Sequence, residues 1–135
     1  MRLRIVAALA VLVSAFVHLK LWFDGFRHEN VVGPAFMLNA VGGVVIAILL
    51  LTWRHWIPAF LAFGFGISTL SAFIVASTVG LFGVHEHWVG GYVWAAAIAE
   101  AVAIVTGGLL LARDNPLRSA RQPENRSTVV GPNLN

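Results

Sequence analysis

Cysteine is absent from this 135-residue chain, and charge is scarce: nine lysines and arginines stand against six aspartates and glutamates. Without cysteine there is no disulfide, no thiolate metal ligand and no thiol redox chemistry. Charged residues make up 11%, where a soluble domain carries about a quarter. Hydrophobic residues reach 59%, and the mean hydropathy is +0.82. The core of one small domain does not use that much apolar surface, so the surplus faces lipid. The net charge of +3 comes from arginines at the ends, not from basic residues mixed with aromatics on one face. That speaks against a nucleic-acid partner. Motifs for nucleophilic catalysis, phosphate cradling and dinucleotide binding are also missing. The expectation is a non-enzymatic protein.

What the chain does have is four apolar segments, at residues 5–23, 34–52, 57–81 and 88–112. Residues 55–85 contain no formally charged side chain. A helix needs about 20 apolar residues to cross the hydrocarbon, and each segment is near that length. None alternates with the two-residue period of a barrel strand, so helix is the default. The sequence predicts an all-α fold: a four-helix transmembrane bundle, up-down-up-down, over residues 1–112. Pro34 and Pro58 suit the first turns of the second and third helices. Residues 113–135 hold three prolines, four arginines and no apolar period. They read as a disordered basic cytoplasmic tail.

The N-terminal "MRLR" before an apolar run resembles a signal peptide, with Val13-Ser14-Ala15 as a cleavage-like triplet. The run continues past it to Phe23, which favours an uncleaved first span. Orientation follows from the basic residues. Arg2, Arg4, Arg54, Arg113, Arg118, Arg121 and Arg126 fall on one side of a four-span chain, leaving Lys20 and Arg27 on the other. The positive-inside rule then makes both termini cytoplasmic, in a multi-pass plasma-membrane protein. Trp53 and Trp56 mark the inner boundary, and Trp22 and Trp88 the outer one.

The two outer loops share a pattern. His28 to Gly33 reads "HENVVG" and His85 to Gly90 reads "HEHWVG", with four of six positions identical. Duplication of a helical hairpin would produce this, and so would chance, because the match fades outside the six residues. His28, His85 and His87, with Glu86 (or Glu29 or Asp24) as a fourth ligand, would suit zinc or copper if the two hairpins pack side by side. The competing reading is a polar loop that holds helix ends at the headgroups. Lys20 and Asp24, four apart, read as a solvated pair.

Glu100 is the most informative residue. Twelve residues beyond Trp88, it lies about 18 Å below the outer boundary of a ~30 Å core. A carboxylate there costs roughly 2.5–3.5 kcal/mol. It reduces that cost by staying protonated, by pairing, or by facing a wet cavity. Its helical neighbours Ala96, Ala97, Ala103 and Gly107 form a small-residue face, so it is expected to point into the bundle. Candidate partners are His18, Asn39, Ser68, Thr69 and Ser71. Of these, His18, Asn39, Ser68 and Ser71 would form a ligand or proton site with Glu100. A structural role, with the carboxyl hydrogen-bonded to a neighbouring helix, competes.

Two stretches carry a resemblance: "FVHLKLWFDGFRHENVVGPAFMLNAVGGVV" from Phe16 and "FGISTLSAFIVASTVGLFGVHE" from Phe65. The membrane part of the chain resembles uncharacterised small four-helix integral membrane proteins of actinobacteria. It is loosely similar in size and helix count to DoxX-like proteins, which are linked to quinone or redox-stress functions. No defining DoxX motif is matched, so no site residue carries over. The resemblance implies four helices in a bacterial plasma membrane.

The leading functional expectation is an accessory or small-ligand-binding membrane protein. The alternatives are an oligomeric ion- or proton-coupled transporter that titrates Glu100, and a quinone-linked redox protein. No cofactor is demanded by the sequence. A 14.5 kDa chain has little room to enclose a transport path alone. A homo-oligomer or a larger membrane complex is therefore expected, with the lipid bilayer as the other partner.

Overall fold

A computed structural model describes residues 1–80, 87, 89–115 and 117. Among the described residues there are four helices and no strand. They are α1 (Arg2–Asp24), α2 (Val32–Thr52), α3 (Trp56–Thr78) and α4 (Gly91–Asp114), with a short 3-10 turn at Phe26–His28 between the first two. The shortest, α2, has 21 residues, about 32 Å at 1.5 Å per residue. All four are long and apolar enough to cross a membrane. Their outward faces are as greasy as their inward ones: Leu9, Phe16, Leu38, Ile48, Ile98 and Val105 are all exposed. A soluble bundle would put polar residues there.

Helix ends depart slightly from the apolar segments, because hydropathy marks depth and backbone chemistry marks ends. His55 starts α3, its Nδ1 accepting from the Ile57 N–H at 3.4 Å. α3 stops at Thr78, short of the end of its apolar run, and Gly80 follows at φ +83°. Gly90, at φ +99°, precedes α4. Gly33, which occupies the matching place in the other loop, is instead inside α2. There a Cβ would come within 2.6 Å of the Phe26 carbonyl oxygen. The two glycines of the six-residue match therefore do different work.

α1 packs on α2 and α4, and α4 on α1 and α3, while α2 and α3 touch each other much less. Three glycines set the close crossings. A Cβ on Gly43 would lie 2.8 Å from the Ala15 Cβ, one on Gly66 2.8 Å from the Glu100 carbonyl oxygen, and one on Gly107 2.8 Å from the Phe63 nitrogen. Between them sits an apolar core of Ala7, Val11, Ile46, Leu50, Ala59, Ala62, Ala103 and Leu110. The buried Arg4 ties the start of α1 to the α2–α3 connection and to the end of α4. Those chain ends meet at one end of the bundle. The tail beyond residue 117 lies outside the described residues.

Candidate functional site

Glu100 sits in the third turn of α4 and is 2% exposed. Its carboxyl meets α1. Ser14 Oγ, fully buried, donates to Glu100 Oε1 at 3.1 Å. One turn further along α1, His18 Nδ1 lies 2.8 Å from the Ser14 backbone oxygen. A carbonyl only accepts, so this contact puts the ring proton on Nδ1. The other nitrogen, Nε2, then faces Glu100 Oε1 at 4.0 Å. That distance is too long for a direct hydrogen bond. One proton on either partner gives a neutral acid beside a neutral imidazole, or a carboxylate beside an imidazolium. The His18 ring is fixed by an edge-to-face contact with Phe36, centroids 5.0 Å apart.

Beside this cluster is a cavity of about 150 Å³. It runs from Val31 and Val93, near the ends of α2 and α4 opposite Arg4, to Asn39, Thr69 and Glu100 at mid-depth. Phe36, Phe73 and the alanines 72, 76, 96 and 97 make most of the wall. The polar members are His18, Asn39, Thr69 and Glu100. Thr69 Oγ1 donates to the Phe65 carbonyl of its own helix. Asn39 Oδ1 is buried and accepts no hydrogen bond from any described residue. An unmatched buried acceptor costs about 1–3 kcal/mol.

The structure thus brings Glu100, His18 and Asn39 to one cavity. Ser68 and Ser71 do not join them. Both are exposed on the outside of α3, and Ser68 Oγ donates to the Phe65 carbonyl at 3.1 Å. The α3 residues that line the cavity are Thr69, Ala72, Phe73 and Ala76. His28 is exposed in the 3-10 turn, where Arg27 Nε donates to its Nε2 at 3.0 Å. His87 is exposed, and His85 and Glu86 lie outside the described residues. Among the described residues, no three His, Cys, Asp or Glu side chains gather to hold a metal ion. Lys20 pairs with Asp24 at 2.7 Å and lies 5.2 Å from the centre of the Tyr92 ring.

Ser14 is the member of the site that the sequence reading passed over. Its signal was present: four residues before His18, it shares that residue's helical face. Neither a protein-family model, nor a curated protein, nor a solved structure matches the chain. Geometry alone carries the site.

Proposed function

We propose that this chain is a non-enzymatic, multi-pass membrane protein that binds a small ligand between its helices, in the half of the bundle away from Arg4. One observation carries the reading. A cavity lined mainly by apolar side chains ends on a buried carboxyl, an imidazole and an unmatched amide oxygen. Ligand pockets combine apolar walls with a few placed polar groups in this way. The arginine-bearing end, with Arg2, Arg4, Arg54 and Arg113, faces the cytoplasm by the positive-inside rule. The cavity then belongs to the outer half of the plasma membrane.

Proton-coupled transport through a single chain fits less well. Among the described residues, the buried side chains between Glu100 and Arg4 are apolar apart from Thr106, whose hydroxyl donates to its own helix at Val102. The polar groups reach halfway and stop.

The test is mass spectrometry of the protein released from lipid nanodiscs prepared directly from cell membranes. Wild type is expected to carry a bound small molecule that is lost from Ala97→Phe and Ala72→Phe, which fill the cavity. A quinone among the bound species would support the DoxX-like redox alternative. Identical bound species in wild type and both filled variants would overturn ligand binding at this cavity.

A further inference from the structure

We infer that the occupant is a small neutral ring bearing one hydroxyl group, a phenol-class molecule, held with its hydroxyl at Asn39. This rests on the ligand-binding reading above and names the chemistry that reading leaves open.

Size is the first argument. An engineered apolar cavity of about 150 Å³ in a protein core stays dry and takes benzene. The cavity here has about the same volume. That volume admits one aromatic ring. Phe36 and Phe73 are among its wall residues, and aromatic side chains pack favourably against a ring. Phe36 is itself held on two sides, by His18 at 5.0 Å and by Phe26 at 5.1 Å between centroids. Those two ring contacts brace that wall.

Polar capacity is the second argument. Ser14 already donates to Glu100, and His18 already donates to the Ser14 carbonyl. Thr69 is used by the Phe65 carbonyl. His18 Nε2, 4.0 Å from Glu100 Oε1, makes no direct hydrogen bond, but the fully buried side-chain atom left without a partner among the described residues is Asn39 Oδ1. An asparagine amide offers both an acceptor and a donor. A hydroxyl is the smallest neutral group that can donate to the one and accept from the other, so it fits either setting of the amide. A ketone or ether lacks the donor. A carboxylate would bring a second acid to Glu100, and an ammonium would carry a charge into apolar walls at high cost.

The experiment uses 4-fluorophenol and fluorobenzene as probes, followed by fluorine NMR with the full chain in nanodiscs. Empty nanodiscs and the Ala97→Phe variant measure partitioning into lipid, so only the saturable remainder counts. 4-Fluorophenol is expected to bind about tenfold more tightly than fluorobenzene, which corresponds to about 1.4 kcal/mol. In Asn39→Leu the 4-fluorophenol affinity should fall to the fluorobenzene level, with fluorobenzene still bound as evidence of an intact fold. Equal affinity of the two probes for wild type, or no change in Asn39→Leu, would overturn the hydroxyl assignment and leave the cavity as a binding site. If Asn39→Leu does not fold, the wild-type comparison decides alone. No saturable binding of either probe would overturn the ligand class. Joined with unchanged bound species in the filled variants, it would overturn the binding reading as well.

Discussion

Replacing Arg4 with methionine removes, at little change in length, a side chain that makes four hydrogen bonds. The Arg4 guanidinium reaches the carbonyls of Leu50 at 3.4 Å, Trp53 at 3.0 Å and His55 at 2.9 Å, and Asp114 Oδ2 at 2.5 Å. Leu50 is among the last four residues of α2, whose carbonyls have no partner within the helix. Arg4 thus caps α2 from another helix. Its own place, in the first turn of α1, is where a helix dipole disfavours a cation. The contacts must more than make up for that. Breaking a buried ion pair by removing one partner costs about 3–5 kcal/mol. Here the Arg4 side chain is 7% exposed and that of Asp114 34%. The acid left behind can therefore recover water, and the lower end, about 3 kcal/mol, is the expectation for Arg4→Met. Asp114→Asn keeps the three carbonyl contacts and should cost only about 1 kcal/mol. Arg4→Lys, with no planar fork, should fall between the two. Equilibrium unfolding in bicelles by steric trapping reads all three. A loss under 1 kcal/mol for Arg4→Met, or equal losses for Arg4→Met and Asp114→Asn, would refute the capping argument. The first result would mean that water or other groups replace the contacts. The second would mean that the ion pair alone matters.

The same assay should show Ser14→Ala losing about 0.6 kcal/mol, the average for a hydrogen bond between membrane helices; a loss above about 2 kcal/mol would mean that Glu100 depends on Ser14 for burial. Gly66→Val must push α3 off the Glu100 backbone and should cost at least 1–3 kcal/mol, the usual range for overpacking; a neutral result would show that the crossing is loose. Orientation can be read on this chain without background because it has no cysteine. In intact cells, a membrane-impermeant maleimide should label His28→Cys and spare Arg54→Cys, and labelling of both or of only the second would reverse or break the proposed topology.

The spans were legible because the bilayer imposes a length and an apolar composition that any reading of hydropathy detects. Glu100 was legible for a related reason: one acid in a charge-free stretch must be buried, paired or wet. Its partners were harder to see. His18 stands out by type, but Ser14 is a common residue inside an alanine-rich run, and only the crossing of α1 over α4 gives it a role. Ser68 and Ser71 show the converse. They lie at the right depth, yet each hydroxyl in a helix can bond to a carbonyl of the preceding turn. Depth and polarity therefore do not tell which face turns inward. Arg4 reads as one of several basic residues near a membrane boundary. Its capping of α2 depends on where the α2–α3 connection comes to rest, which no local pattern encodes.

The position of the cavity follows from where the glycines are. Gly107 meets Phe63 and Ala59 in the half near Arg4, and Gly43 and Gly66 draw α2 to α1 and α3 to α4 at mid-depth. Without a hydrophobic drive between helices in lipid, such close approaches are the main source of association. Beyond Gly66 the contacts change in kind. The α1 side offers His18 against Phe36, a ring pair 5.0 Å apart, in place of backbone touching backbone. α4 offers Ala96 and Ala97, whose methyls are too short to reach across to α2. α2 and α3, each held by its own inner neighbour, have little to hold them to one another there. The space that remains is the cavity, and Glu100 and Asn39 stand at the level where tight packing ends. Closing it would need side chains larger than alanine at 72, 76 or 97. Ala76→Leu should therefore fill part of it and raise stability by up to about 1–2 kcal/mol, the return of a typical cavity-filling change. If the cavity serves a ligand, the same variant should lose that ligand. A variant that gained stability and kept its ligand would place the binding site elsewhere on the protein.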